Sequence, residues 1–321
     1  MPSRDDPAPE FTDPRLSAAH RAALRSLDRV VAETAEPTDP DAARAALVQQ
    51  LQAGDVLVLT GAGVSTDSGI PDYRGPRGSL RRSRPMTFQE FQADASARQR
   101  YWARGYIGSG ALTQARPNVA HLILADWQRR GLVSGLVTQN VDGLHTAAGS
   151  RDVIALHGDM RWVDCLTCGY REPREEFDQR LEAANPGYRE SVKVDPSQVN
   201  ADGDVSLDAD TVARFHLVHC LNCGSDRLKP SVVYFGESVP ASVHADVARL
   251  RERSASLLVV GSSLAVMSGY RFVLDAKAAH WPTAVVNGGP GRADARVDVL
   301  WRTAVAPALE EVDAALRRAG R

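Results

Sequence analysis

The sequence predicts an α/β protein in which helices cover both faces of a parallel sheet, together with a second, smaller domain. Short apolar runs of strand length alternate with helical patterns along most of the chain, which is typical of a parallel sheet. Three of these runs end in small polar residues, at 61–63, 261–263 and 287–289. The four cysteines fall in two Cys-x-x-Cys pairs, which sets their segment apart from the strand–helix pattern.

The first strand is predicted at residues 56–59, a Val-Leu-Val-Leu run suited to burial on both faces of a sheet. Gly61, Ala62 and Gly63 follow directly, and the Ser/Thr/Asp cluster after them is suited to beginning a helix. Such a turn brings backbone N–H groups close to an anion such as a pyrophosphate. Thr66 stands where a G-x-G-x-x-G fingerprint has its third glycine, so a purely structural turn is the alternative.

The later strands also end in polar residues. Strands are predicted at 135–137, 153–156, 232–235, 256–260 and 283–286. Because the carboxyl ends of parallel strands meet at one edge of a sheet, one long ligand crossing that edge explains the polar ends better than unrelated turns. The candidate residues after these strands are Gln139, Asn140, Asp142, His157, Gly261, Ser262, Ser263, Asn287, Gly288 and Gly289.

Helical spacing fills the intervals between the strands. The predicted helices cover 42–51, 88–106, 118–130, 242–251 and 307–318. Residues 1–40 are rich in Pro, Asp and Ala and indicate an extension or partly ordered arm with one helix near 16–34. Residues 74–84 are rich in Gly, Pro and Arg and predict a mobile loop, either solvated or facing phosphates.

The cysteine pairs predict a structural metal site. Cys165 and Cys168 are followed by Gly169, and the second pair, Cys220 and Cys223, is also followed by a glycine. A glycine there permits the tight turn that directs both sulfurs at one ion, and four thiolates make a closed tetrahedral zinc site. A redox pair and chance spacing are the alternatives. The acidic stretch at 185–210 is interpreted as an insertion between the two turns.

Composition excludes several classes of protein. The 321 residues carry a formal net charge of −2, with 43% hydrophobic and 24% charged residues, which argues against nucleic acid or an anionic membrane as the main partner. No apolar run approaches the roughly 20 residues that span a bilayer, and the N-terminal segment does not resemble a targeting peptide. We therefore expect a cytoplasmic location, where reduced cysteines favour metal over disulfides.

The predicted domain organisation follows from these segments. Residues 1–42 form the N-terminal extension. A Rossmann-type domain covers 43–157 and 229–321 and carries a helical module at about 75–117, and residues 158–228 form the zinc-binding small domain.

Taken together, several segments resemble one family, the sirtuins, which are NAD-dependent protein-lysine deacylases. The segments are GAGVSTDSGIPDYRG at 61–75, TQNVDGLH at 138–145, HG at 157–158, KPSVVYFGE at 229–237, GSSLAVMSGYRF at 261–272 and the paired cysteines. The resemblance covers roughly residues 45 to 310. RQRYWARGYIG at 98–108 and SGYRF at 268–272 look most like the class II branch, which includes a mitochondrial sirtuin credited with lipoamidase, other deacylase and ADP-ribosyltransferase activities.

The resemblance implies a Rossmann-type NAD domain, a small zinc-binding and helical domain, and an acylated-lysine protein or peptide substrate. His157 corresponds to the family's catalytic histidine, and Val233, Tyr234, Phe235, Gly236 and Glu237 correspond to the stretch that pairs with substrate backbone. Ser268 and Gly269 depart from the commonest pattern. The implied NAD-binding residues are Gly61, Ala62, Gly63, Ser65, Asp72, Tyr73, Arg74, Gln139, Asn140, Asp142, Gly261, Ser262, Ser263, Asn287, Gly288 and Gly289.

The family reaction separates nicotinamide from C1′ of the ribose and lets the acyl oxygen attack there. We expect His157 to act as general base, with Asn140 and Asp142 holding the ribose and a carboxamide or water. His145 has no such role and is interpreted as structural or capping. Mono-ADP-ribosylation and lipoamidase activity are the alternatives at the same NAD site. A dehydrogenase and a nucleic-acid-binding zinc ribbon are disfavoured, the first by the glycine pattern and the second by the charge.

Tyr101 and Arg104 stand three residues apart on a predicted helix and therefore share one face. This pair can receive an acidic or hydrogen-bonding acyl tail. An ordinary aromatic–arginine contact in the helical module is the alternative.

Overall fold

The computed structural model describes most of the chain, and contacts divide it into two compact units. The described residues are 11–29, 31–75, 78–81, 84–193, 200 and 203–320, except for the side chains of residues 81 and 109–113. The unit that we call the cysteine unit comprises the described residues of Met1–Asp28, Ile70–Gln114 and Gly158–Ser238. The unit that we call the sheet unit comprises those of Arg29–Gly69, Ala115–His157 and Val239–Arg321.

Strands and helices are numbered along the chain. The strands are β1 (Val56–Thr60), β2 (Val133–Thr138), β3 (Ile154–Ala155), β4 (Gly158–Cys165), β5 (Arg171–Pro173), β6 (Leu228–Val232), β7 (Ser256–Val260), β8 (Thr283–Val286) and β9 (Val299–Trp301). The helices are α1 (Pro14–Leu27), α2 (Pro40–Ala53), α3 (Phe88–Ala93), α4 (Ala95–Gln114), α5 (Val119–Arg129), α6 (Leu144–Ala147), α7 (Arg174–Ala184), α8 (Tyr188–Ser191), α9 (Ala209–Ala213), α10 (Ala241–Glu252), α11 (Met267–Ala278) and α12 (Val305–Arg318).

The sheet unit contains a six-stranded sheet with the order β3-β2-β1-β7-β8-β9, and every pairing in it is parallel. From β1 the chain proceeds to β2 on one side and later to β7 on the other. The strand order therefore reverses between β1 and β7, and open α/β sheets bind ligands outside the carboxyl ends of the strands at such a point. The predicted Rossmann-type parallel sheet is confirmed.

Both faces of this sheet are buried, as the sequence predicts. Val56 and Val58 pack with α2, α5 and α12 on one face, whereas Leu57 and Leu59 pack with α10 and α11 on the other. Successive side chains of a strand point to opposite faces, so a strand covered on both sides is apolar throughout. The Val-Leu-Val-Leu run has this composition because each residue is buried.

The cysteine unit is built on a small antiparallel sheet with the order β5-β4-β6. Its core joins Trp102 and Tyr106 of α4 to Phe177 of α7 and to Phe215, all fully buried. The indole Nε1 of Trp102 donates to the carbonyl oxygen of Leu228 at 2.8 Å, so the aromatic helix is fixed to the sheet.

Two predictions differ from the structure. The strand expected at 232–235 is β6, which ends at Val232 and pairs with β4 instead of joining the parallel sheet. Residues 229–238 and the helices at 88–114 therefore belong to the cysteine unit, not to the Rossmann-type part. In the N-terminal extension, the helix expected near 16–34 is α1, which buries His20, Ala23 and Leu27. Side-chain periodicity identifies an element but not the sheet to which it belongs.

No helix in the described part of the chain has the length and apolar character needed to cross a membrane.

Replacing Gly261 by Ala should destabilise the sheet unit by about 3 kcal/mol or more. Gly261 has a φ of 64°, where an L side chain costs about 1–2 kcal/mol, and an added Cβ would lie 2.5 Å from the backbone nitrogen of Val64. Gly69→Ala is the matched control, because Gly69 has a φ of 86° but nothing within 4 Å of an added Cβ. Urea denaturation should show a loss of only about 1 kcal/mol for the control. Equal losses would refute the close contact.

Candidate functional site

Four neighbouring strands end at one edge of the sheet unit. In the register of the sheet, Thr60 lies beside Thr138 on one side and Val260 on the other, and Val260 lies beside Val286. The residues that follow these strands therefore leave the sheet side by side. The structure thus brings together the predicted groups at 61–65, 139–142, 261–263 and 287–289.

The turn after β1 packs directly on the turn after β7. The Gly63 N–H donates to the carbonyl oxygen of Gly261 at 2.8 Å, and a Cβ at Gly61 would lie 2.6 Å from Cβ of Ser262. The sequence prediction connected these glycines with the approach of an anion, but their observed contacts are between the two turns. The expected helix start is also different, because Ala62–Val64 and Thr66–Ser68 form two short 3₁₀ turns.

Polar side chains tie this edge together. The hydroxyl of Ser65, which is only 1% exposed, donates to Oδ2 of Asp142 at 2.7 Å. The Asn140 amide donates to Ser65 Oγ at 3.0 Å and to the carbonyl oxygen of Gly61 at 3.1 Å. Since each member is held by another, the Asp142 carboxylate has a fixed position at the edge.

Gln139 links the ends of three strands. Its amide nitrogen donates to Ser262 Oγ at 2.8 Å and to the carbonyl oxygen of Thr60 at 3.2 Å. The backbone carbonyl oxygen of Gln139 lies 3.0 Å from Nδ1 of His157, just beyond β3. Gln139 therefore fixes the predicted catalytic histidine to the strands that carry the other candidate residues.

His157 is held by both ring nitrogens. Nδ1 contacts the Gln139 carbonyl oxygen, and Nε2 lies 2.8 Å from Oγ of Ser268 in α11. A carbonyl oxygen only accepts, so Nδ1 carries the proton and Nε2 has the lone pair. Burial lowers the pKa of His157 to about 4, and the hydrogen bond to Gln139 raises it by a smaller amount. The ring is therefore neutral at pH 7 and has a basic nitrogen.

Two further histidines are buried in the sheet unit, His121 and His145, and the sequence indicated no catalytic role for either. His145 is 1% exposed, its Nε2 lies 2.9 Å from Oγ1 of Thr60, and its ring packs 4.7 Å from that of His121. Burial lowers the pKa of His145 to about 3 and that of His121 to about 4, although Asp142 partly raises the latter. The structural interpretation of His145 agrees with these contacts.

The loop after β8 is shaped by residues that the sequence analysis missed. Asn287 donates through Nδ2 to the carbonyl oxygen of Gly289 at 2.7 Å, and Arg302 donates to the same oxygen. The buried Asp294 pairs with Arg302 at 2.6 Å and accepts from the backbone of Gly291 at 2.8 Å. The two residues of this ion pair stand eight positions apart in different elements, so no single strand or helix pattern signals the contact, which explains why it was missed.

The Asp72–Arg74 group lies in the cysteine unit. Oδ1 of Asp72 accepts from the backbone of Gly75 at 2.8 Å, and Arg74 donates to the carbonyl oxygen of Ser26 in α1 at 3.2 Å. The ring of Tyr73 lies edge-on to Phe235, with centroids 6.4 Å apart. Arg77 and Arg82 of the predicted basic loop lie outside the described residues, as does the side chain of Arg81.

The expected substrate stretch Val233–Glu237 lies in the same unit and is held at both ends. Oε2 of Glu237 accepts from the backbone of Tyr234 at 2.8 Å and from Nζ of the buried Lys229 at 3.1 Å. Burial lowers the pKa of Lys229, and Glu237 partly raises it. At Gly236, the carbonyl oxygen accepts from Gln89 at 2.9 Å. These contacts give the stretch a defined backbone shape.

Tyr101 and Arg104 have partners within the cysteine unit. The ring of Tyr101 packs 5.3 Å from Tyr234 and 5.5 Å from Phe91. Arg104 forms an ion pair with Asp204 at 3.0 Å and donates to the carbonyl oxygen of Val205 at 2.6 Å. These contacts hold Arg104 against the 185–210 segment, and the role of the pair toward an acyl tail stays a prediction.

The four cysteines form one cluster whose geometry fits zinc. Their sulfurs all lie within 4.8 Å of one another, with Cys165 to Cys223 at 3.6 Å and Cys168 to Cys220 at 3.7 Å. A tetrahedron with Zn–S bonds of about 2.3 Å has S–S edges of about 3.8 Å. All four are free thiols. Gly169 has a φ of 75° and Gly224 a φ of 72°, as the predicted tight turns require.

The sheet edge therefore offers a neutral imidazole with a lone pair on Nε2, a fixed carboxylate and several oriented amides and hydroxyls. These groups suit proton abstraction from a hydroxyl and stabilisation of positive charge next to it. The cysteine cluster has four thiolate ligands and no open position, so it suits a structural metal.

Comparison with known proteins gives a consistent result. The Sir2 family model matches residues 61–268. The chain is 57% identical over 271 residues to NAD-dependent protein deacetylase 1 of Corynebacterium efficiens, covering 84% of this chain and 96% of that protein. It is 44% identical over 248 residues to NAD-dependent protein deacylase Sirt4 of Drosophila melanogaster, covering 76% of this chain and 78% of that protein.

Solved structures agree with the sequence relatives. One described as "Structural Basis for the Mechanism and Regulation of Sir2 Enzymes" has a TM-score of 0.67 and 29% identity, covering 88% of this chain and 100% of that chain. Another, described as "Sir2-p53 peptide-NAD+", has a TM-score of 0.66 and 27% identity, covering 86% of this chain and 98% of that chain.

Removing one thiolate should remove the metal. Cys220→Ser is expected to lose stoichiometric zinc and several kcal/mol of stability, since the binding energy of a structural zinc is folding energy. Zinc content by atomic absorption and the midpoint of urea unfolding measure both effects. The control is Leu221→Ala, because this side chain stands between the ligands and is 62% exposed. A Cys220→Ser protein that retains one zinc and its full stability would contradict the site.

Acid should weaken the sheet unit below about pH 6.5. The pKa values of His121, His145 and His157 are lowered by burial to about 4, 3 and 4, whereas the unfolded chain takes up these protons near pH 6.5. The unfolded state then binds more protons than the folded state. The free energy of unfolding therefore decreases as the pH is lowered, by up to about 1.4 kcal/mol per pH unit for each histidine.

Urea unfolding between pH 7.5 and 4.5 tests this dependence. His145→Gln should reduce the slope of unfolding free energy against pH, and the exposed His244→Gln should leave it unchanged. An unchanged slope in His145→Gln would show that this ring is not buried in its neutral form.

Proposed function

Since the chain belongs to the Sir2 family, we propose that it is an NAD-dependent protein-lysine deacylase that releases nicotinamide and O-acyl-ADP-ribose. The observation that carries this proposal is the neutral His157, fixed through Gln139 to the edge that also holds Ser65, Asn140 and Asp142. Both named relatives, the deacetylase and the deacylase, have activities of this class.

The reaction consumes NAD and water. The bond between nicotinamide and C1′ of the ribose breaks, and nicotinamide leaves with the bonding electrons. The acyl oxygen of the substrate lysine bonds to C1′, water supplies the oxygen and protons that balance cleavage of the amide, and the lysine amine is released. The acyl group remains as an ester of ADP-ribose.

NAD would be held along the carboxyl edge of the sheet. The backbone and side chains at 61–65, 139–142, 261–263 and 287–289 supply donors and acceptors over the ends of four adjacent strands. Ser262 and Asn287 are polar yet at most 9% exposed. This edge fits a long ligand because each of the four groups follows a different strand, so together they extend across the sheet. On the family resemblance alone, we also propose Asp72, Tyr73 and Arg74 as NAD-binding residues.

His157 acts as the general base in this proposal. With the proton on Nδ1, its Nε2 accepts a proton from a ribose hydroxyl, and the Gln139 carbonyl oxygen stabilises the resulting imidazolium. Asn140 and Asp142 hold the ribose and a carboxamide or water, and the carboxylate stabilises positive charge that develops at C1′. Because neutral His157 is the active form, activity is lost as pH falls through its pKa.

The acyl-lysine peptide would pair with the backbone of Val233–Glu237. The ion pair between Lys229 and Glu237 holds the turn, and the Phe88 N–H donates to the Phe235 carbonyl oxygen at 2.9 Å. The guanidinium of Arg104 is already engaged by Asp204, so we expect neutral acyl groups to be preferred over dicarboxylic ones.

We assign the chain to the class II branch on residues 98–108 and 268–272, and we propose a cytoplasmic location because a site of four thiolates requires a reducing compartment. Fractionation of the native host followed by immunoblotting tests the location.

Mass spectrometry of the reaction products tests the activity. With NAD and a panel of acetyl, long-chain, lipoyl and dicarboxylic acyl-lysine peptides, we expect nicotinamide, free lysine peptide and O-acyl-ADP-ribose in equal amounts. His157→Ala should lower turnover by about 10²–10⁴-fold, the usual contribution of a general base.

Two results would overturn these assignments. ADP-ribosylated protein or free ADP-ribose as the main product would replace deacylation by ADP-ribosyl transfer or NAD hydrolysis. Full activity of a zinc-loaded His157→Ala variant would remove the histidine from the chemistry. Exposed His244→Gln is the control for replacement of a histidine outside the sheet edge.

A further inference from the structure

Ser268 contacts the proposed general base directly. It is the second residue of α11, and its hydroxyl oxygen lies 2.8 Å from Nε2 of His157. The helix follows the turn at 261–263, so the same segment supplies one wall of the NAD edge and a partner for the histidine. Nothing in the assignment of NAD, metal or substrate residues uses this hydroxyl.

The direction of this hydrogen bond is determined by the other side of the ring. The Gln139 carbonyl oxygen accepts from Nδ1, so Nε2 has no proton and the Ser268 hydroxyl must donate to it. Two hydrogen bonds from different elements then fix both the tautomer and the rotation of the imidazole about its Cβ–Cγ bond. A hydrogen-bonded second partner is the usual means of orienting a catalytic histidine.

The next residue adds a second contact to the same group. A Cβ at Gly269 would lie 2.4 Å from Oε1 of Gln139, so the start of α11 packs against the amide that bonds to Ser262 and Thr60. Ser268 and Gly269 therefore touch both His157 and the residue that orients it. These are the two positions at which the sequence departs from the commonest family pattern, and both lie against the histidine or Gln139.

We propose that Ser268 is a positioning residue that holds the His157 imidazole with its lone pair on Nε2, ready to accept a proton. The proposal rests on the proposed role of His157 as general base. During the reaction the ribose hydroxyl takes the place of the serine hydroxyl at Nε2, and Gln139 keeps the ring in position. Ser268 is only partly buried, so its side chain is able to rotate away.

Other charged groups do not account for the state of this ring. Asp142 lies on the segment that carries Gln139, and Arg271 lies on α11, but the pKa of His157 is set by burial and by the hydrogen bond to Gln139. Among the described residues, Ser268 is therefore the partner whose removal takes away the hydrogen bond to Nε2 of His157 without removing a charged group.

Nitrogen NMR of the full chain, loaded with zinc, tests the contact independently of activity. In long-range ¹H–¹⁵N spectra, we expect wild-type His157 to have a protonated Nδ1 and a hydrogen-bonded Nε2. Ser268→Ala should move the Nε2 resonance downfield and raise the titration midpoint by about 0.5–1 pH unit, the worth of one hydrogen bond to the neutral form. Ser268→Thr should restore both.

Kinetics with NAD and an acetyl-lysine peptide tests the consequence. Ser268→Ala should lower kcat/KM for NAD by about 3–10-fold and move its acid limb to higher pH, since one hydrogen bond is worth about 1 kcal/mol. Its kcat should stay within about twofold, because the ribose hydroxyl has already replaced the serine hydroxyl at Nε2 in the complex. Ser268→Thr should recover the wild-type profile. Ser254→Ala is the matched control, because that hydroxyl donates to the Leu250 carbonyl oxygen in the same unit.

Each outcome bears on a separate claim. An Nε2 resonance and titration that are identical in wild type and Ser268→Ala would overturn the contact. A changed resonance with unchanged kcat/KM for NAD would overturn its role in positioning. If His157→Ala keeps full activity while Ser268→Ala changes the NMR spectrum as expected, the general-base assignment fails and the hydrogen bond itself stands.

Discussion

The packing of the turn after β1 against the turn after β7 is the contact on which the rest of the sheet edge depends. Gly63 donates to Gly261 at 2.8 Å, and Gly61 leaves no room for a Cβ beside Ser262. These strands are neighbours where the strand order reverses, so their turns form the floor beneath the polar residues. Any side chain at these glycines would separate the turns and break the hydrogen bond between Gln139 and Ser262.

Burial at this edge determines its chemistry. A side chain held in the interior loses the hydration of its charged form, so the pKa of His157 falls and the ring stays neutral. The Asp142 carboxylate is stabilised differently, by hydrogen bonds from Ser65 and from the backbone of Leu144 at 2.9 Å. A neutral base and a fixed anion therefore exist at one edge because one is desolvated and the other is solvated by protein donors.

The candidate segments of the cysteine unit are also held in place by hydrogen bonds and packing. Its metal ligands, the Asp72–Arg74 group and the Val233–Glu237 stretch are each held by contacts within the unit. The N-terminal helix α1 is part of this arrangement, since Arg74 donates to the Ser26 carbonyl oxygen and a Cβ at Gly236 would lie 3.0 Å from that of Ala23. The segment that composition indicated to be an extension is thus built into the unit that carries two of the candidate sites.

The sequence by itself determined the parallel α/β class, the cysteine cluster and the polar strand ends, because each rests on local spacing and composition. Buried apolar runs predict strands, and two Cys-x-x-Cys turns with glycines predict a tetrahedral site. The sequence did not determine the sheet to which β6 belongs, the Asp294–Arg302 ion pair or the hydrogen bond from Ser268 to His157. The pairing of β6 and the contact of Ser268 join residues far apart along the chain, and the ion pair joins two residues eight positions apart in different elements. Only the tertiary structure decides which of them meet, because local patterns carry no record of contacts beyond their own element.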